Sequence, residues 1–188
     1  MKKIYIVTTF TGTLLSCLIR NISKTPYAHV SIALNEYLRP MYFFGRLNPK
    51  TPIFAGFVAE NINEGLYAIR TNTMCRVYSL MVTERQYEKL KENIDNVSIN
   101  RKQYVYDVKA LVYLSVNKPR KKDYKYVCSH FVADMLKRSE INILDKEPHQ
   151  VRPNDFYDLC DLELEYEGLL SNYYEKDKVH NIGDVVKI

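Results

Sequence analysis

YVCSHFVADML occupies positions 126–136, and its apolar residues recur at the spacing of one helix face. This pattern predicts a helix that begins at Cys128, ends near Ser139 and packs one side against a core. The residues predicted to face inward are Phe131, Val132, Met135 and Leu136.

Cys128 stands at the predicted N-terminus of this helix. The positive end of the helix dipole and the unpaired N–H groups of the first turn lower the pKa of a thiol and favour the nucleophilic thiolate. The same N–H groups can hold an oxyanion, and Ser129 can cap the first turn. Cys128 is therefore a candidate nucleophile. The alternative is a buried cysteine that acts as a small hydrophobe.

For the other three cysteines, the sequence favours a purely structural role as small hydrophobic residues. Cys17 lies in an apolar run, Cys75 in a strand-like segment, and Cys160 near the end of a predicted short helix. Four cysteines without paired short spacings predict neither a disulfide framework nor a zinc site. We therefore expect reduced thiols, a cytoplasmic location, no metal and no cofactor.

A thiolate nucleophile needs a base within reach, and the chain has four histidines. His29 opens a predicted strand, from which it can project towards the start of a packed helix. The side chain of His130 diverges from that of Cys128, because residues two apart do not face each other on a helix. His149 and His180 lie in a polar loop and in the tail. His29 is therefore the candidate base, and a structural histidine on a strand is the alternative.

The remaining pattern predicts an α+β chain with helices around an antiparallel sheet. β-Branched and aromatic residues predict strands at 4–10, 29–34, 41–46, 55–60, 66–70 and 73–82, and an edge strand at 162–170. Helices are predicted at 14–22, from a capping box at Thr83 to about Val97, and, as a short piece, at 152–157. Residues 103–116 fit a helix on the sheet or a strand.

Length and composition predict a single domain over residues 1–188, with a core from about 4 to 160 and a loose, charged tail at 174–188. The formal net charge of +5 is mild, and its densest basic run, at 118–122, is typical of a solvated loop. We expect no nucleic-acid partner. Threonines interrupt the N-terminal apolar run, unlike a signal peptide, and no run of about 18 apolar residues predicts a membrane span.

Two motifs resemble the circularly permuted branch of the NlpC/P60 papain-like superfamily. They are Tyr27-Ala28-His29-Val30-Ser31-Ile32-Ala33-Leu34 and Tyr126-Val127-Cys128-Ser129-His130-Phe131-Val132. In that branch the histidine precedes the cysteine, as it does here, and its members include YiiX-like cysteine hydrolases and, more distantly, lecithin–retinol acyltransferase-like proteins. The resemblance covers roughly residues 4–159. It implies a papain-like antiparallel sheet or half-barrel flanked by helices, with Cys128 as nucleophile and His29 as general base.

The third catalytic position is where this chain departs from the family, which often has a polar residue such as glutamate on the strand after the histidine strand. That strand offers Tyr42, whose hydroxyl can orient His29 if it faces inward. Glu60, on the next strand, is a more distant candidate for orienting His29. The alternative is that Glu60 is only a charged surface residue at a strand end. A backbone carbonyl or a water molecule could also orient His29. Tyr126 is a candidate for lining a groove or for packing in the core.

The resemblance implies a cysteine hydrolase, of peptidase or amidase type, that cleaves an amide or acyl bond through a Cys-His pair and a thioacyl intermediate. The expected substrate is a peptide, a peptidoglycan-like molecule or an acyl ester. Two alternatives stay open: a non-catalytic binding module that keeps the papain-like fold, and a thiol acyltransferase.

Overall fold

The computed structural model describes residues 1–12, 26–48, 51–115, 118–157 and 159–173. Within these ranges the chain has a mixed α+β fold, with a six-stranded antiparallel sheet and four α-helices. The predicted α+β class and the antiparallel sheet are confirmed. The helices are α1 (Gly65–Ile69), α2 (Glu84–Ile99), α3 (Val108–Ser115) and α4 (Cys128–Arg138).

The strands of the main sheet are β1 (Lys2–Phe10), β2 (His29–Ala33), β3 (Met41–Asn48), β4 (Thr51–Glu60), β5 (Met74–Val82) and β8 (Glu163–Leu169). Their order across the sheet is β4-β3-β2-β1-β5-β8. Every neighbouring pair is antiparallel. A separate parallel pair, β6 (Val105–Tyr106) and β7 (Lys125–Tyr126), brings the chain to the start of α4.

Side chains along β1 alternate between the two faces of the sheet, as the pleat requires. Ile4 and Ile6 pack with residues of α2 and α4, on what we call the α2/α4 face. Tyr5 and Val7 pack with Tyr67 of α1 on the opposite side, the α1 face. Both faces are buried, and this explains why β1 is an almost unbroken apolar run.

The first residues of β2 lie beside an opening in the sheet. On one side, the ladder between β1 and β2 extends to the pair of Thr9 and His29. On the other side, within the described residues, the ladder to β3 begins only at Ile32, which pairs with Tyr42. The edge of β2 at His29 and Val30 is therefore free of a strand partner on the β3 side, and α4 packs against both β2 and β3 there.

Most predicted elements are confirmed. The strands predicted at 4–10, 29–34, 41–46, 55–60 and 73–82 are β1 to β5, and the edge strand at 162–170 is β8. The helix predicted from Cys128 is α4, and residues 152–157 contain the 3₁₀ turn Pro153–Phe156. The capping box is complete, because Thr83 and Gln86 each accept a hydrogen bond from the other's backbone N–H.

The strand predicted at 66–70 is wrong, because these residues form the short helix α1. Gly65 has a φ of 52°, which turns the chain after β4, and Tyr67 then packs into the core. A five-residue apolar run fits either element, and here tertiary packing decides. The described part of the segment 103–116 contains β6 and α3. The helix predicted at 14–22 and the tail at 174–188 lie outside the described residues.

Candidate active site

Cys128 is the first residue of α4, and its side chain is only 3% exposed. Val127, in extended conformation, is the N-cap and supplies no side-chain hydrogen bond. The cap predicted for Ser129 is wrong, because its hydroxyl instead donates to the carbonyl of Val151 over 2.6 Å. The first-turn N–H groups of α4 are thus left without a side-chain acceptor at the N-cap, beside the thiol.

Burial raises the pKa of the Cys128 thiol, although nearby backbone N–H groups of Val30, Ser129 and Cys128 itself act in the opposite direction. The lowered pKa predicted for a thiol at a helix start is therefore wrong for this structure. The helix N-terminus and the N–H groups are present and lower the pKa, but the cost of removing a thiolate from water raises it by more. At neutral pH the resting group is the neutral thiol.

His29 is the first residue of β2, and burial lowers the pKa of its imidazole to about 4. Its ring lies edge-on against Phe43, with centroids 4.8 Å apart and an interplanar angle of 88°. Its Nε2 atom is buried and has no hydrogen-bond partner within the described ranges. The imidazole is neutral at pH 7, which is the form that can accept a proton.

The structure brings Cys128 and His29 to the same end of β2. The N–H of Val30, the residue after His29, faces the Cys128 sulfur and favours its thiolate. Strand alternation directs the His29 side chain to the α1 face, where it meets Phe43, while α4 packs on the α2/α4 face. The thiol also acts electrostatically on Tyr67 of the α1 face. The Cys128 sulfur therefore lies beside the backbone at the start of β2, while the His29 imidazole packs against Phe43 on the α1 face.

Tyr42 is not brought to His29. It precedes Phe43 on β3, so its side chain lies on the opposite face from the ring that contacts His29. There it stacks on Phe57, with ring centroids 6.3 Å apart and an interplanar angle of 20°. A hydroxyl on the α2/α4 face is poorly placed to orient an imidazole that packs on Phe43.

Glu60, the last residue of β4, lies on the α1 face, where it pairs with Met41. Its carboxylate reaches the start of α1 and accepts a hydrogen bond from the backbone N–H of Leu66. Burial raises the pKa of Glu60. Glu60 also acts electrostatically on Tyr67, so this half-buried carboxylate lies on the face that His29 occupies.

Tyr126 packs in the core beside α4 rather than lining a groove. It is 8% exposed, and its hydroxyl donates to Asp134 over 2.6 Å. Its ring centroid lies 5.1 Å from that of Phe44 and 4.5 Å from that of His130. Burial also lowers the pKa of His130, to about 4, so this second histidine belongs to the same packed cluster.

Two polar residues near His29 are absent from the sequence-based candidates. Thr9 lies opposite His29 in the sheet, and Tyr67 of α1 is buried beside Thr9. Thr9 lies in a buried stretch of β1. A hydroxyl is unusual in a buried strand, and this is the feature that could have identified Thr9 as a candidate. Tyr67 had no such signal, because its helix was predicted as a strand.

Across the described residues, no three His, Cys, Asp or Glu side chains converge in a way that could hold a metal ion. No described helix is both long enough and apolar enough to cross a membrane. Cys75, Cys128 and Cys160 are free thiols, and Cys160 is exposed. Burial raises the pKa of Cys75 to about 12. It is therefore an inert internal reference for the chemistry of Cys128.

One described cavity, of about 250 Å³, is lined by Tyr67, Thr73 and Leu170 among others. A second cavity, of the same size, lies against the last turns of α4. Cys128 and His29 line neither of these two cavities. No family model matches this chain, and no curated protein sequence matches it either.

Proposed function

We propose that this protein is a cysteine hydrolase that cleaves an amide or acyl bond, with Cys128 as nucleophile and His29 as general base. The proposal adopts the roles implied by the resemblance to the permuted NlpC/P60 papain-like proteins. The observation that carries it is the position of the Cys128 sulfur, at a helix N-terminus and facing the N–H of Val30, the residue that follows His29 in the sequence.

The chemistry begins from a neutral pair, because burial disfavours both the thiolate and the imidazolium. As the sulfur of Cys128 attacks the substrate carbonyl carbon, its proton moves to the imidazole of His29. The carbonyl oxygen becomes an oxyanion, which backbone N–H groups at the start of α4 stabilise. The imidazolium then gives its proton to the leaving group, and a thioacyl enzyme remains.

Water completes hydrolysis of the thioacyl enzyme. His29 takes a proton from the attacking water, and the carbon–sulfur bond breaks to release the acid and the thiol. The substrate class is a peptide, a peptidoglycan-like molecule or an acyl ester. If an amine or alcohol replaces water as the acceptor, the same site performs acyl transfer.

One observation favours a second candidate function, a non-catalytic binding module. Burial raises the pKa of Cys128, so the resting group is the neutral thiol and not the thiolate, and it lowers the pKa of His29, which makes the imidazole a weaker base. A site that had lost catalysis would retain such a packed, neutral pair. The two candidates differ in whether His29 controls the reactivity of Cys128.

Alkylation with iodoacetamide, followed by peptide mapping, tests this difference for each cysteine in one sample. Exposed Cys160 serves as the solvent thiol, and buried Cys75 as the inert thiol. We expect Cys128 to react faster than Cys75, and we expect His29→Ala to slow Cys128 alone. His149→Ala is the matched histidine control. If Cys128 reacts no faster than Cys160 and His29→Ala leaves its rate unchanged, the enzyme proposal fails.

Acyl transfer is distinguished from hydrolysis by the acceptor. With p-nitrophenyl acetate as the probe, thioacyl formation at Cys128 releases nitrophenol in a burst, and mass spectrometry locates the acetyl group. Added amines leave the product of a hydrolase as acetate. In a transferase, they divert the acetyl group into an amide.

A further inference from the structure

Two buried polar atoms near the candidate site have no hydrogen-bond partner in the part of the chain that the structure describes. They are Oγ1 of Thr9 and Nε2 of His29. The two residues are directly opposite each other in the ladder between β1 and β2. Opposite residues of an antiparallel pair extend their side chains to the same face, about 5 Å apart at Cβ. Unpaired buried polar atoms are rare in folded proteins, so Nε2 of His29 requires an explanation. Oγ1 of Thr9 has the Tyr67 hydroxyl as an electrostatic neighbour, although their geometry falls short of a regular hydrogen bond.

Tyr67 is the third polar group at this place. It is 5% exposed, and the Thr9 side chain is close enough to its hydroxyl to favour the phenolate. Its ring packs edge-on against Phe43, with centroids 6.2 Å apart, and Phe43 in turn contacts His29. Thr9 therefore has the imidazole of His29 as one neighbour and the hydroxyl of Tyr67 as another.

We propose that Thr9 is the positioning residue for His29, and that the hydroxyl of Tyr67 supports Thr9 in this role. The inference rests on the proposed function, and it names the group that replaces the polar third residue. In the catalytic arrangement the Nε2–H group of His29 donates to Oγ1 of Thr9. The Thr9 hydroxyl in turn donates to the oxygen of Tyr67.

This arrangement gives the Nε2–H group of His29 and the hydroxyl of Thr9 an acceptor each. The proton of the Cys128 thiol moves to Nδ1 of His29, and the imidazolium then carries N–H groups on both nitrogens. Nε2–H needs an acceptor most in that state, because the buried cation otherwise lacks a partner. No bond within Thr9 or Tyr67 breaks, so both residues act on His29 by orientation and not by proton transfer. Thr9 also holds the tautomer that leaves Nδ1 free to accept.

A purely structural role for Thr9 predicts different behaviour. As a β-branched residue in a buried strand, Thr9 would then be replaced by valine without loss, since valine has the same shape. Thr8 is the matched control, because its hydroxyl is also buried and unpaired within the described residues, while its side chain lies on the α2/α4 face. Thr9→Val and Thr8→Val therefore remove the same group from opposite faces of one strand.

The test combines two measurements on the whole chain. The first is the pH–rate profile of Cys128 alkylation by iodoacetamide. The second is the ¹⁵N chemical shift of the His29 ring, which reports its tautomer and hydrogen bonding. The variants are Thr9→Val, Thr9→Ser, Tyr67→Phe and Thr8→Val, and circular dichroism establishes that each is folded.

We expect Thr9→Val to slow alkylation of Cys128 by about fivefold or more, as loss of a hydrogen bond to a charged group implies. The same change shifts the Nε2 resonance of His29, and Thr9→Ser restores both signals. Tyr67→Phe gives a smaller loss, and Thr8→Val gives none. If Thr9→Val and Thr8→Val behave alike, or if the His29 ring resonances do not move in Thr9→Val, the proposal is overturned.

Failure of this inference is separable from failure of the proposed function. If His29→Ala leaves alkylation of Cys128 unchanged, the proposed function fails and Thr9 has no role to support. If His29→Ala slows alkylation while Thr9→Val does not, the hydrolase proposal stands and the positioning role of Thr9 is wrong.

Discussion

The imidazole of His29 lies edge-on against the ring of Phe43, with 4.8 Å between their centroids. An aromatic neighbour offers no acceptor for a ring N–H group, and Nε2 of His29 is unpaired among the described residues. The contact therefore fixes the ring while leaving its charge unsupported, which agrees with its lowered pKa. A base held in this way is neutral at rest and ionises only when a proton arrives from a neighbour.

His29 and His130, whose pKa values are lowered by burial, predict a stability that falls as the pH is lowered. Their pKa values are about 4 in the folded protein, below the usual value of 6.5, so the unfolded chain binds more protons between these limits. The contribution of these two histidines to the free energy of unfolding is complete above about pH 6.5, and it is lost as the pH falls towards 4. The expected slope is up to about 1.4 kcal/mol per pH unit for each histidine. Urea unfolding at a series of pH values measures it.

Carboxylates also titrate at the acidic end of this range. The test therefore compares the pH dependence of the free energy of unfolding between each variant and the original protein. His29→Gln and His130→Gln should each reduce the slope between about pH 6.5 and 5. An unchanged slope in His29→Gln would show that His29 is not held neutral by burial.

A substitution at Gly45 should disturb His29 through Phe43. A Cβ at Gly45 would lie 2.8 Å from the Phe43 ring and 3.8 Å from the His29 ring. The Phe43 ring must move, and we expect Gly45→Ala to destabilise the fold by about 1–3 kcal/mol. We also expect slower alkylation of Cys128. Thermal unfolding and iodoacetamide labelling measure the two effects.

Gly56 provides the control for that substitution. It lies opposite Gly45 in the ladder of β3 and β4, and a Cβ there would meet the Leu47 side chain at 3.6 Å, an ordinary contact. Gly56→Ala should leave Cys128 alkylation unchanged. Equal effects of the two substitutions would contradict the proposed link from Gly45 to His29.

The part of the site that could be predicted from sequence is the part held by local pattern. The inward residues of α4 all lie within eleven residues, so the helix and the place of Cys128 at its start are local properties. Strand β2 has its own apolar pattern, which places His29 at its first residue. The permuted order then associates the two residues without any knowledge of the tertiary contacts.

The electrostatics and the support of the site could not be predicted in the same way. The pKa of Cys128 depends on how completely β2, β3 and α4 exclude water, and these elements are distant in sequence. Tyr67 could not be recognised from the sequence, because its segment was predicted as a strand and only tertiary contacts, with Phe43 and Thr9, show that it reaches the site. The position of Thr9 opposite His29 could not be predicted either, because it depends on the register between β1 and β2.

Tyr42 should not influence the chemistry of His29. Its ring stacks on Phe57, on the face opposite to the contact between Phe43 and His29. We expect Tyr42→Phe to leave the alkylation rate of Cys128 within about twofold of the original, because less than 0.5 kcal/mol is at stake. A loss comparable to that of His29→Ala would show that Tyr42 orients His29 after all.

Tyr126 should matter for stability and not for reactivity. Tyr126→Phe removes the hydrogen bond to Asp134, which is 2.6 Å long and only partly buried. We expect a loss of about 1 kcal/mol in the free energy of unfolding, measured in urea. Alkylation of Cys128 should be unchanged. Slower alkylation at unchanged stability would favour the groove hypothesis for Tyr126.

Ser129 should anchor the start of α4 and thereby the position of the Cys128 thiol. Its hydroxyl donates to the carbonyl of Val151, and both residues are almost fully buried. Ser129→Ala leaves that carbonyl without its side-chain donor, and we expect a loss of about 1–3 kcal/mol in the free energy of unfolding. Because the N–H of Ser129 faces the thiol, alkylation of Cys128 should slow as well.

Ser139 at the other end of α4 is the control for Ser129. Its buried hydroxyl donates to the carbonyl of Met135 over 2.7 Å and accepts from the side chain of Asn93. Ser139→Ala should lower stability by a similar amount without changing the alkylation rate of Cys128, because it leaves the first turn of α4 intact. If the two variants slow alkylation equally, the effect comes from general loosening of the fold, and the anchoring role of Ser129 is wrong.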